Sequence, residues 1–165
     1  MRDIILIGHD IRSTHNVGSL LRTAECLGVK KVYLTGYTPY PKLEGDRRLP
    51  YIAEKITKQI HKTALGAENS IEWSQSDEIS PVLRQLKKAG YQLIGLEQNP
   101  KSTPLPDFSP PTKCALLLGR EVEGIDQKLL VYCDEIVEIP QFGEKESLNV
   151  VQAAAIALYH FVFTS

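Results

Sequence analysis

Short continuous apolar runs alternate along this chain with segments whose apolar residues recur at helical spacing. Ile4 to Ile7 is such a run and reads as a strand covered on both faces. A polar stretch, Gly8 to His15, follows. Asn16 is the predicted cap of a helix that stops at Gly28. Val17, Leu20, Leu21, Ala24 and Leu27 form one stripe along that helix. Arg22 lies about 140° from Val17 at 100° per residue, away from the stripe beside Ser19 and Cys26. Lys31 to Thr35 is a second strand, Gly36 to Pro50 a long loop, and Ile52 to Leu65 an amphipathic helix. Ile71 to Trp73 reads as a short strand, Ser76 to Ala89 as a helix, and Tyr91 to Leu96 as a strand. A proline-rich connection, Glu97 to Lys113, leads to the apolar strand Cys114 to Leu118. Gly119 to Gly124 is a polar turn, Ile125 to Cys133 a short helix, and Glu135 to Ile139 a last strand. Pro140 breaks that strand. A polar loop then runs to Ser147 or Asn149, either of which can cap the next helix. That helix, Val150 to Phe163, is apolar nearly all round, which marks burial on more than one side. Strands alternating with helices predict an α/β fold, a mostly parallel sheet flanked by helices, in a single domain over residues 1–165.

Composition narrows the class. At 42% hydrophobic and 24% charged residues the chain reads as a soluble globular domain with a real core. The apolar C-terminal helix is interrupted by Gln152 and His160, so no membrane span is expected. The N-terminal apolar run is too short for a secretory leader, and no small-residue cleavage site follows it. Cys26, Cys114 and Cys133 are odd in number and scattered, with no C-x-x-C pair, which points to a reducing, cytoplasmic setting. Net charge is −1 but uneven. Residues 1–66 hold eleven Lys/Arg against six Asp/Glu, so a basic half faces an acidic one. Such a half can hold a polyanion, or it can be an ordinary solvated surface.

Several chemistries are excluded by spacing. No G-x-G exists for a dinucleotide turn. Gly119 and Gly124 have P-loop spacing, but Ile125-Asp126 stands where Lys-Ser/Thr is required. The four histidines show no ligand spacing, no metal site is expected, and no G-x-S-x-G elbow occurs. What remains is three polar stretches, each after an apolar strand: Asn16 to Arg22, Gly119 to Gly124, and Gln141 to Asn149. In open parallel sheets such loops gather at the carboxyl edge and form the ligand crevice. Each is also compatible with an ordinary connection.

Taken together and in order, these stretches resemble the three motifs of the SpoU (TrmH-like) family of RNA ribose 2′-O-methyltransferases, in the SPOUT superfamily. They are Asn16-Val17-Gly18-Ser19-Leu20-Leu21-Arg22-Thr23-Ala24, Leu116-Leu117-Leu118-Gly119-Arg120-Glu121-Val122-Glu123-Gly124, and Ile139-Pro140-Gln141 through Ser147-Leu148-Asn149-Val150. Arg120-Glu121-Val122 varies the second motif while keeping its glutamate and both glycines.

The resemblance implies that the chain from about Tyr91 onward threads as a deep trefoil knot, a rare exception to ordinary topology. It implies S-adenosylmethionine as cofactor, held by Leu96, Gly119, Ile139, Ser147 and Leu148, with Glu97 nearby. It assigns the reaction to Arg22, positioned by Asn16, with Glu121, Ser147 and Asn149 arranging substrate and cofactor. It also implies a homodimer. The apolar C-terminal helix agrees, although full burial within one subunit would explain that helix equally. A chain with no added RNA-binding domain points toward tRNA, gripped by the basic N-terminal half and the Gly36–Pro50 loop. Ribosomal RNA is the close alternative, and a non-catalytic RNA-binding homologue of the same fold is a further one.

Overall fold

The computed structural model describes residues 2–164. Seven strands form one sheet: β1 (Asp3–His9), β2 (Lys31–Thr35), β3 (Trp73–Ser76), β4 (Gln92–Leu96), β5 (Thr103–Pro104), β6 (Lys113–Leu118) and β7 (Glu135–Glu138). Their order is β3-β2-β1-β6-β4-β7-β5, and every pairing is parallel. The helices are α1 (Thr14–Cys26), α2 (Pro50–Ala64), α3 (Ala67–Ser70), α4 (Ile79–Lys88), α5 (Gln127–Leu130) and α6 (Val150–Phe163). A single 3-10 turn covers Leu105–Asp107.

The unbroken apolar runs follow from burial on both faces. In β1, Ile4 and Leu6 join the core formed with α1, α2 and α6, while Ile5 and Ile7 join the one formed with α4 and α5. Residues of β6 divide in the same way: Cys114, Leu116 and Leu118 face one core, Ala115 and Leu117 the other. Alternating side chains of a central strand must satisfy two apolar layers, so no polar position survives.

Several boundaries differ from the sequence expectation. Helix α1 is capped by Ser13, not Asn16. The Ser13 hydroxyl accepts the Asn16 N–H at 3.2 Å, and Asn16 sits in the first turn with its side chain free for another task. Strand β3 begins at Trp73, because Ile71 closes the short helix α3 through its N–H to Ala67 and Trp73 pairs with Val32. Helix α5 is a single turn capped by the Asp126 side chain and ends at Leu130. The proline-rich connection contains β5, too short to leave a periodic signal. Helix α6 is capped by Asn149, whose side-chain oxygen Oδ1 accepts the Val151 N–H at 2.8 Å.

Full burial of the C-terminal helix within one subunit is not met. Helix α6 is apolar all round, yet this chain covers only Ala154, Ala157, Leu158 and Phe161 fully. Ile156, Tyr159 and Phe163 stay 45%, 61% and 63% exposed. Among the described residues no helix is long and apolar enough to cross a membrane.

Candidate active site

Because every pairing is parallel, the carboxyl ends of β1, β6, β4 and β7 lie side by side. After β6 the chain folds into a tight loop. Arg120 and Gly124 exchange backbone hydrogen bonds at 3.0 and 3.1 Å. Glycine is required at both ends of this loop. A Cβ on Gly119 would meet the Gly124 carbonyl at 2.4 Å, and Gly124 itself has φ +72°. At the end of β4, the Glu97 carboxylate accepts the Ile125 N–H at 2.7 Å and the Gln98 N–H at 3.0 Å, tying the loop to the neighbouring strand.

Between these strand ends lies a cavity of about 240 Å³. Leu96, Leu118, Ile139 and Leu148 give it apolar walls. The 119–124 backbone, Glu97, Glu121 and Ser147 supply polar groups. All five residues expected to hold the cofactor, Leu96, Gly119, Ile139, Ser147 and Leu148, line this one space. A chamber with leucine and isoleucine walls beside backbone amides and carbonyls suits an adenosine-like group. Among the described residues no cluster of three or more His, Cys, Asp or Glu is arranged to hold a metal.

The catalytic candidates divide. Glu121 receives the backbone N–H groups of Arg12 and Ser13 and the side-chain amide of Asn16, each at 3.1 Å. Burial pushes the Glu121 carboxyl up, but the hydrogen bonds from Ser13, Arg12 and Asn16 outweigh it and hold the group below its ordinary range. The Asn149 side-chain amide donates to the Asn16 side-chain oxygen, Oδ1, at 3.4 Å. Residues from three distant stretches thus join in one chain of contacts, Asn149 to Asn16 to Glu121, beside a cavity that Ser147 also lines.

Arg22 is not among them. It is exposed and lines a separate concavity with Ser19, Thr23, Cys26, Leu27, Lys62 and Thr63. Six residues beyond Asn16, it stands about 9 Å further along α1 and about 120° around it.

Sequence reasoning missed Asp10 and Arg120. Asp10, directly after β1, takes a left-handed conformation, φ +55°, and is 8% exposed. Its carboxylate accepts the Tyr37 N–H at 3.1 Å and faces Arg120 and the His9 ring, each at 3.4 Å. Burial lowers the His9 pKa, with Asp10 opposing the shift. The available signal was a titratable pair directly after an apolar strand. In the long loop, Arg48 folds inward: it grips Asp46, donates to the Tyr40 carbonyl at 2.9 Å, and lies 3.7 Å over the Tyr40 ring.

Residues 47–159 match the profile of the SpoU rRNA Methylase family. The 23S rRNA (guanosine-2′-O-)-methyltransferase RlmB of Neisseria meningitidis is 30% identical over 94% of this chain and 56% of its own. The tRNA (guanosine(18)-2′-O)-methyltransferase of Saccharomyces cerevisiae is 32% identical over 96% of this chain and 10% of its own. The chain therefore spans little more than half of the Neisseria relative. The AdoMet-bound rRNA methyltransferase from Sinorhizobium meliloti superposes with a TM-score of 0.80 at 20% identity, over 96% of this chain and 55% of that one. The A. aeolicus TrmH/SpoU tRNA modifying enzyme gives 0.79 at 20% identity, over 98% and 74%. At those identities the superpositions speak for the fold alone. The profile match, together with the Neisseria and Saccharomyces sequences, shows that this chain belongs to the SpoU methylase family of the SPOUT superfamily.

Proposed function

We propose that this chain is an S-adenosylmethionine-dependent RNA methyltransferase that modifies a ribose 2′-hydroxyl. The observation that carries the reading is the Asn149–Asn16–Glu121 chain of contacts beside a cavity lined by Leu96, Gly119, Ile139, Ser147 and Leu148. When bound, S-adenosylmethionine supplies an electrophilic methyl group. As the new O–C bond formed and the methyl–sulfur bond broke, leaving the neutral thioether, the ribose hydroxyl would pass its proton to the adjoining substrate phosphate or to water. A guanidinium offers five N–H donors and no acceptor, so Arg22 orients the ribose and its adjoining phosphate rather than acting as a plain base. Glu121 fixes Asn16, and Ser147 and Asn149 present hydrogen-bonding groups at the mouth of the cavity.

Arg22 lies outside the cavity of its own subunit, and a second copy supplies the missing geometry. The exposed apolar stripe of Ile156, Tyr159 and Phe163 on α6 favours an isologous dimer. Its Tyr159 and Phe163 rings pack at a tilt of 41° with centroids 4.6 Å apart. In that arrangement the partner's Arg22 meets the ribose at this cavity. We further read the C-terminal half as a trefoil knot. This reading draws support from β7 lying beyond β4 from β6 and from the return of the chain to pack α6 on α1.

tRNA is the RNA class placed first, and ribosomal RNA the second reading. The Saccharomyces relative carries the first name and the Neisseria relative the other, at near-equal identity. A cytoplasmic setting fits the three free cysteines. Two of these have thiols that burial pushes up, to about 12 for Cys114 and about 11 for Cys133.

Incubation with methyl-labelled S-adenosylmethionine and unmodified tRNA, followed by nucleoside mass spectrometry, is expected to yield a 2′-O-methylated nucleoside. Ribose-methylation mapping of total RNA from a deletion strain then names the position. Absence of cofactor binding by calorimetry would overturn the reading. Cofactor binding with no methylation of any RNA would favour the non-catalytic homologue.

A further inference from the structure

We propose that the solvent face of α2 and the concavity around Arg22 form one continuous track for the RNA sugar–phosphate backbone. This rests on the RNA methyltransferase reading and names the surface that feeds the substrate to it. Tyr51, Lys55, Lys58 and Lys62 recur at i, i+4, i+7 and i+11, so they share one face over about 16 Å of helix. All four are exposed, Tyr51 at 67%.

The lysines differ from several basic groups of this chain that are neutralised by carboxylates. Lys30, Lys31, Lys42, Arg48 and Lys87 each hold a carboxylate partner. Lys55, Lys58 and Lys62 take no ion pair among the described residues. The one acidic residue of α2, Glu54, is engaged by Lys42 at 3.4 Å. The stripe therefore presents three uncompensated charges in a row.

An isolated lysine row on a helix is usually only a solvated face. Here it leads into a built feature. Lys62 shares with Arg22 the concavity of about 490 Å³ between α1 and α2, which Ser19, Thr23 and Thr63 also line. The spacing of the two helices is fixed by close contact at Gly18, where a Cβ would meet the Ile60 carbonyl at 2.2 Å. The Thr63 hydroxyl adds a hydrogen bond to the His15 carbonyl at 2.8 Å. Phosphates held along Lys55, Lys58 and Lys62 deliver the next ribose toward Arg22, while the Tyr51 ring at the far end offers a face for a base. Arg48 of the long loop, turned onto Asp46 and Tyr40, is not available for this role.

The test uses the triple variant Lys55→Gln/Lys58→Gln/Lys62→Gln and a control triple on the opposite layer, Arg84→Gln/Lys87→Gln/Lys88→Gln. Binding of an unmodified tRNA transcript is followed by fluorescence anisotropy across a salt series, with melting and S-adenosylmethionine calorimetry on the same samples. For the α2 triple, the slope of log affinity against log salt is expected to fall by about 2, at roughly 0.7 per lost phosphate contact. KM for RNA should rise at least about tenfold, with melting and cofactor affinity unchanged. The control triple should shift the slope by much less. An unchanged slope in a folded α2 triple, or equal loss in both triples, overturns the track. Wild-type protein that neither binds nor methylates RNA overturns the functional reading instead.

Discussion

The side-chain amide of Asn16 donates to the Glu121 carboxylate at 3.1 Å, across 105 residues of sequence. Two backbone N–H groups before helix α1, those of Arg12 and Ser13, converge on the same carboxylate. Glu121 thus closes the start of α1 from outside it, where a helix leaves backbone donors without partners and favours negative charge. Ser13 handles the local cap, which leaves Asn16 to connect Glu121 with Asn149. The second sequence motif therefore orients the first.

Replacing Glu121 by Ala removes the acceptor of three donors. We expect a loss of about 2 kcal/mol, the usual range for stranding partly buried donors. That corresponds to roughly 4–8 °C in Tm for a domain of this size, readable by circular dichroism.

Glu121→Gln tests the charge itself. The folded Glu121 pKa is lowered, so its ionised form stabilises the fold at pH above the ordinary carboxylate value of about 4.3. That contribution disappears as pH falls through the lower folded value. Wild type should be more stable than the glutamine variant at pH 7, and the gap should close as urea melts are taken below about pH 4. A gap independent of pH would assign the effect to shape rather than charge.

Much of this arrangement was legible in the letters, for identifiable reasons. Strands such as Ile4 to Ile7 and Cys114 to Leu118 announce themselves because two apolar layers leave no room for polar side chains. The five cavity residues came from the resemblance of the three ordered motifs to the SpoU family, not from any local pattern, and they line one space. Three things escaped. Ser13 takes the cap of α1 because the Asn16 side chain is drawn to Glu121, a partner no local window contains. The two-residue strand β5 is shorter than any periodicity. The one-sided burial of α6 is invisible to hydropathy, which records that Tyr159 and Leu158 are both apolar but not which of them this chain covers.

Gly119 has no space for a side chain. In Gly119→Ala the new Cβ would lie 2.4 Å from the carbonyl carbon and oxygen of Gly124, backbone atoms that cannot rotate away. The loop must shift into the cavity wall. Calorimetry should show at least about a tenfold loss of S-adenosylmethionine affinity, equivalent to about 1.4 kcal/mol.

The exposed Ile156, Tyr159 and Phe163 predict what holds two copies together. Tyr159→Glu places a charge that cannot be buried without a partner. Sedimentation is expected to show a dimer for wild type and a monomer for the variant, with the monomer still binding S-adenosylmethionine but transferring no methyl group. A wild-type monomer would remove the basis for Arg22 acting across an interface.

Whether Arg22 serves its own cavity or its partner's can be decided by mixing two inactive proteins. Arg22→Ala should abolish methyl transfer while leaving cofactor affinity nearly unchanged, because Arg22 does not line the cavity. Gly119→Arg should fill the loop and abolish cofactor binding. If the partner's Arg22 completes the site, a mixed dimer contains one cavity from the first variant facing an intact arginine from the second. Random exchange makes half of all dimers mixed, each with one working site of two, so activity should return to about a quarter of wild type. If Arg22 instead works within its own subunit, no dimer in the mixture holds a complete site, and none returns. Tyr159→Glu introduced into both partners should prevent the rescue, separating true complementation from residual activity of either protein.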